Sequence, residues 1–273
     1  MVAVREFGAL LAGAMLAAAA ASAQRPPPLP PGSWNVDWGD QRCSLIRQSE
    51  TSPPNFFALQ VIPGSYRSDL RVVSRNWPGN ALSDPERLVI SFQPQGIPVA
   101  GQPRLERTEA GHALVIGDAA EDVREALAAA QSVRVTRDGA SLVEIPLPSS
   151  RRALDALREC EATGMRRWGV DPAAHAAVTV PPRGYLAAYV SDNDYPESAL
   201  RSDAQGTVIF RLDLDNTGRP TACTVLVSSG HDGLDSATCR IMRARARLTP
   251  ALGPDGSSVP ATIVSSIIWR IIG

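Results

Sequence analysis

The stretch GTVIFRLDLDNTGRPTACTVLVSSG, residues 206–230, decides the fold class. Val208, Phe210, Leu212 and Leu214 fall on one side of an extended chain and Thr207, Ile209, Arg211 and Asp213 on the other. That two-residue period is the mark of a half-buried strand. Asp215-Asn216-Thr217-Gly218 supplies a turn, because Asn and Gly tolerate positive φ. A second strand is predicted from Pro220 to Ser228, with Thr221, Cys223, Val225 and Val227 on one face. The loop from Ser229 to Gly233 leads into a helix over Leu234–Arg247, which Pro250 stops. Gly253 to Gly256 then turns the chain into a final strand, Val259–Ile271. A hairpin, a helix and a returning strand predict an α+β unit, one helix packed on a three-stranded antiparallel sheet.

Helical angles sort the side chains of this unit. Leu234, Thr238, Ile241 and Met242 share one helix face, and Arg240, Arg243 and Arg247 the opposite one. The arginines form either a solvated face or a stripe for an acidic partner. In the last strand Ile263, Ile267, Trp269 and Ile271 should cover the helix, whereas Thr262, Val264, Ser266, Ile268 and Arg270 look the other way. If this strand lies at the sheet edge, its free N–H and C=O groups accept an incoming extended peptide, unless the edge is capped or used for self-association. Asp213 to Gly218 begins like a calcium loop, but the twelfth position is Thr224 rather than Glu, so it reads as a hairpin turn.

Tyr195-Pro196, Gly206, Gly218, Ser228-Ser229-Gly230, Leu234-Asp235, Ala237, Pro250-Ala251 and Trp269 follow one another in a characteristic order and spacing. Together they resemble the C-terminal domain of the TonB family of energy transducers, over about residues 191–271. The resemblance implies a protein–protein interaction module in the periplasm, linked to energy-coupled transport across the outer membrane. In that family the domain captures a short N-terminal segment of an outer-membrane TonB-dependent receptor by β-augmentation. Tyr195 and Pro196 thereby join Arg240, Arg243, Arg247, Thr262, Val264, Ser266, Ile268 and Arg270 as the candidate partner-binding set. The resemblance implies no enzyme chemistry, no cofactor and no metal. It also implies contact with inner-membrane proton-driven motor proteins if an N-terminal membrane anchor is retained.

The rest of the chain departs from that family. Arg5, the apolar run Phe7–Ala20 and Ala21-Ser22-Ala23 before Gln24 predict a cleaved signal peptide and a periplasmic protein. The alternative is an uncleaved inner-membrane anchor, for which the run is short against about 30 Å of hydrocarbon. Arg25 to Gly32 is a proline-rich spacer reaching some 25 Å at about 3.1 Å per residue, whereas the family carries a far longer arm. Net charge is -1, which points to no nucleic-acid partner, and the use of Arg for all 27 basic side chains reads as compositional bias.

Between residues 34 and 165, short apolar runs broken by Pro and Gly predict a β-rich domain, sandwich-like or barrel-like, with two helices. The helices are Ala119–Ala130, capped by Asp118 with Glu121 following, and Arg151–Glu161. The predicted organisation is residues 1–23 signal peptide, 24–33 spacer, 34–165 β-rich domain, 166–190 linker and 191–273 TonB-like domain. Four cysteines in an exported chain read as two disulfides. Cys223 lies on the strand face that the following helix must cover and Cys239 on that helix, so they pair, leaving Cys43 with Cys160. No paired His or Cys spacing suggests a metal. His112, His175 and His231 are scattered, and Ser229 with His231 and Asp232 reads as local turn bonding. Two rival functions fit the same sequence. One is a periplasmic hydrolase with a site around His112 in the N-terminal domain, the other an envelope binding module without a transport role.

Overall fold

The computed structural model describes residues 32–78, 81–119 and 122–271. The predicted signal peptide, the predicted spacer before Gly32, and the predicted capping side chains of Asp118 and Glu121 lie outside the described residues. The chain is α+β throughout. The N-terminal half runs β1 (Trp34–Trp38), β2 (Cys43–Gln48), β3 (Phe56–Val61), β4 (Ser68–Ser74), β5 (Leu88–Gln93), β6 (Ile97–Pro98), β7 (Pro103–Thr108) and β8 (Gly111–Ala119). Then follow α1 (Asp122–Ala129), β9 (Ser132–Arg137), β10 (Ala140–Pro146) and α2 (Ser150–Arg167).

Two antiparallel sheets result, a six-stranded one in the order β1-β2-β3-β4-β8-β7 and a four-stranded one in the order β10-β9-β5-β6. Strict alternation drives this arrangement: every second residue of β4 is buried, and Leu45, Phe57, Leu59, Leu70, Leu114, Ile116, Ile90 and Val135 fill one core. α2 closes that core with Leu154 and Leu157, and Cys160 bonds Cys43 of β2 across a Cα–Cα distance of 6.0 Å. Beside the bridge, the Arg124 guanidinium donates to both carboxylate oxygens of buried Glu161 at 2.8 and 2.7 Å, tying α1 to α2.

The helix read as ending at Glu161 continues to Arg167. Gly164 is not a stop but a close approach, since a Cβ there would lie 2.4 Å from the Pro63 ring. Beyond it, Met165 and Trp168 extend the apolar stripe. The stretch expected to be a linker is folded against both halves of the chain. It contains α3 (Pro172–Ala176), a stacked pair of Tyr66 and His175 at 3.9 Å, and hydrogen bonds from the Thr179 hydroxyl to Leu252 and Gly253 carbonyls.

The C-terminal part runs α4 (Glu197–Arg201), β11 (Gly206–Leu214), β12 (Pro220–Val227), α5 (Asp232–Arg245), β13 (Ala251–Leu252), β14 (Ser258–Val259) and β15 (Ala261–Trp269). Its sheet has the order β12-β11-β15, and α5 covers the face made by Val208, Phe210, Leu212, Ile263, Ile267 and Trp269. Leu234, Thr238, Ile241 and Met242 of α5 are all buried against it. Buried Thr238 is fully engaged: it donates to the Leu234 carbonyl and accepts the Trp269 indole N–H, each at 2.9 Å.

Cys223 and Cys239 join strand to helix beneath the same face, with a Cα–Cα distance of 5.5 Å. Val227 does not share a face with Cys223 and Val225, because the register shifts between Ile209 and Phe210 and turns Val227 toward Ile209. The Asp213–Gly218 turn is an Asx-type hairpin turn in which Asp215 Oδ1 accepts from the Thr217 N–H, the Thr217 hydroxyl and the Arg219 N–H.

Candidate functional site

Among the described residues β15 is an edge strand, paired with β11 on one side alone. In an antiparallel ladder successive residues point their amides alternately toward and away from the partner. The Val264 N–H points away, because it donates at 3.0 Å to the Gly64 carbonyl from the N-terminal half. Unbroken register with β11 then sends the N–H and C=O groups of Ser266 and Ile268 outward as well. Gly64 reaches this edge because it has φ +83 and no side chain; a Cβ would come within 2.8 Å of the Val264 side chain. The edge is therefore capped at its start and open toward its end, where Ile268 is 56% exposed.

The open part faces a cleft of about 1760 Å³ between the halves of the chain. One wall is β15 from Ile263 to Trp269, with Arg270 beyond it; the other includes Gln60 of β3, Asp69 of β4 and Arg104 to Arg107 of β7. The segment from Thr179 to Ala187 crosses one end, with Tyr185 70% exposed. Across the rest of the boundary, Met165, Trp168 and Val170 pack on Ile209 and Val264. Arg211 of β11 donates to the Trp168 and Gly169 carbonyls at the C-terminus of α2, where a cation is favoured by the helix dipole.

A hairpin, a helix and a returning edge strand thus make up the C-terminal part of the chain. Residues 191–271 match the family model of the Gram-negative bacterial TonB protein C-terminal. No curated protein matches the chain. The match is to a TonB-type, envelope-associated interaction domain, and that family is not enzymatic. Among the described residues, no helix is long and apolar enough to cross a membrane.

The structure distributes the candidate partner-binding residues of the TonB-like domain over three places. Tyr195, Val264, Ser266, Ile268 and Arg270 line the cleft. Tyr195 is anchored there: its hydroxyl donates to the Ala204 carbonyl at 2.5 Å and its ring meets Trp269 edge-on at 5.2 Å. Val264, however, is buried and its amide is taken, so it is not free to receive a guest. Thr262 is likewise engaged, donating its hydroxyl to Asp213 at 2.9 Å.

Pro196 sits apart from the cleft as the residue preceding α4. Arg240, Arg243 and Arg247 are exposed on or just beyond α5, and the Arg247 guanidinium folds back onto the Ala244 and Ala246 carbonyls. Next to them, Arg245 forms a bidentate pair with buried Asp194 at 2.7 and 2.8 Å. Arg245 and the Ser191 amide and hydroxyl together hold that carboxyl well below the usual range. Sequence periodicity missed this pair because Asp194 belongs to a short turn with no periodic signal.

The histidine and serine candidates are placed as follows among the described residues. Ser229 donates to Asp235, not Asp232, at 2.8 Å, and its contact with His231 is through backbone. His112 lies in the β7–β8 hairpin, where its carbonyl accepts from the Trp77 indole at 3.0 Å. No three His, Cys, Asp or Glu side chains gather to hold a metal among the described residues.

His175 is instead structural. Burial, with Tyr66 stacked on the ring, lowers its pKa from 6.5 to about 4; the Arg124 charge adds to that, and the hydrogen bond to the Thr262 backbone opposes it without reversing it. Its buried Nδ1 has no hydrogen-bond partner among the described residues. An unfolded histidine takes up its proton near pH 6.5 and the folded one only near 4, so stability falls as pH drops through that window. The expected loss is roughly 3 kcal/mol at most. It is measured by urea unfolding at several pH values between 7 and 4 in the parent and in His175→Phe, which keeps the stacking on Tyr66. The variant should lose less stability over the window, and parallel curves would refute the assignment.

Proposed function

We propose that the chain is an exported two-domain protein whose C-terminal domain accepts an extended N-terminal segment of an outer-membrane receptor beside β15. The guest pairs with the outward amides and carbonyls of Ser266 and Ile268, adding a fourth strand to the sheet, and couples the protein to energy-dependent transport across the outer membrane. The single observation that carries the reading is the half-open edge: the ladder is capped at Val264 and faces a roomy cleft from Ser265 onward. Main-chain pairing supplies affinity in such complexes, and side-chain pockets supply selectivity.

The test uses the mature protein and a synthetic peptide carrying a receptor's N-terminal segment. Binding should slow hydrogen exchange at the Ser266 and Ile268 amides. Ser266→Pro removes one outward N–H while leaving the β11 ladder in place, a change that edge strands tolerate. It should weaken the peptide by about tenfold, the effect of losing one hydrogen bond with some crowding. Unchanged affinity, with circular dichroism showing an intact fold, would reject the docking site.

A further inference from the structure

We propose that the N-terminal sheet is the second wall of the docking groove and selects guest segments that alternate apolar and acidic side chains. The inference rests on the strand-addition reading above and deepens it by naming the guest's chemistry.

The cleft is lined by six arginines, Arg42, Arg67, Arg104, Arg107, Arg183 and Arg270, against four acids, Asp69, Glu106, Asp122 and Asp192. Two of those acids are already neutralised. Asp69 lies between Arg42 at 3.4 Å and Arg71 at 4.0 Å, and Glu106 between Arg71 at 2.5 Å and Arg104 at 3.0 Å. Burial alone would push Glu106 up, but the two arginines outweigh it and keep it ionised, so the network stays paired. Arg107, Arg183 and Arg270 are exposed and form no ion pair among the described residues. The unmatched charge of the groove is thus positive, and it sits on both walls, Arg107 on β7 and Arg270 just past β15.

Alternation follows from the strand geometry. A guest beside β15 directs every second side chain to the face that carries Ser266, Ile268 and Arg270, which is the face turned toward the N-terminal half. The intervening side chains point to the opposite face, where Tyr195 and Leu186 border the groove. Carboxylates on the first set meet Arg107 and Arg270, and apolar groups on the second meet the aromatic and aliphatic border. The volume exceeds the roughly 300–1,000 Å³ of small-molecule sites, as an extended segment requires.

The test compares fluorescent peptides of about eight residues that alternate valine with glutamate, threonine or lysine, measured by anisotropy with the mature protein. The glutamate peptide should bind about tenfold tighter than the threonine peptide at ~50 mM salt, and the advantage should shrink at ~300 mM as screening grows. The lysine peptide should bind weakest. The double variant Arg107→Glu/Arg270→Glu, at two exposed positions, should erase or reverse the preference, read as the ratio of the glutamate-peptide to the threonine-peptide affinity, with circular dichroism confirming an intact fold.

Equal binding of all three peptides would overturn the acidic preference while leaving strand addition standing. An acidic preference that persists in the double variant would overturn the assignment to these arginines. Failure of all three peptides to bind would also overturn the inference, and the receptor segment with Ser266→Pro then decides strand addition separately.

Discussion

Replacing Cys43 and Cys160 together by alanine is expected to lower the unfolding free energy by about 5 kcal/mol. The bridge closes a loop of 117 residues, and loop-closure entropy in the unfolded chain grows with the logarithm of loop length. It also fastens α2, whose Leu154 and Leu157 complete the N-terminal core, to β2. Removing Cys223 and Cys239, separated by 16 residues, should cost about 3 kcal/mol by the same reasoning. Urea unfolding of both double variants under oxidising conditions checks the order. A smaller effect for the long loop than for the short one would refute the view that the first bridge closes the N-terminal half.

Trp269→Ala is expected to destabilise the C-terminal domain by about 3–5 kcal/mol, the range for emptying a large buried aromatic site. Trp269 is 3% exposed, packs edge-on against Tyr195 and donates its indole N–H to Thr238 inside the core. Trp269→Phe keeps most of the apolar contact and loses the hydrogen bond, so about 1–2 kcal/mol is expected. Against typical stabilities of 5–15 kcal/mol the alanine variant is severely weakened. Denaturant midpoints for the two variants separate packing from hydrogen bonding. Equal losses would place the whole contribution in the hydrogen bond and refute the packing argument.

Local rules made much of the protein legible. Strand faces follow from a two-residue period, so Val208, Phe210, Leu212 and Leu214 could be placed in the core before any packing was known. The α5 face was equally plain, because Leu234, Thr238, Ile241 and Met242 repeat at helical spacing. Local pattern failed where a neighbour from elsewhere in the chain intervened. The second helix read as ending at Glu161 because nothing nearby announces that Gly164 packs on Pro63, and Val227 changed face because a bulge depends on pairing with β11. Trp168 and the residues after it looked like a linker, since their apolar partners, Ile209 and Val264, come from another part of the chain.

By itself, then, the amino-acid sequence determined the α+β class, the order of the C-terminal elements, the inward faces of β11 and α5, and the chemistry of the edge strand, all properties carried by short-range backbone geometry. The tertiary structure alone decided how much of that edge is open. Gly64 closes the ladder at Val264, and the N-terminal sheet stands across a charged cleft from Ser266 and Ile268. Such contacts join residues far apart in the chain, and no local periodicity encodes which distant surface a strand will meet.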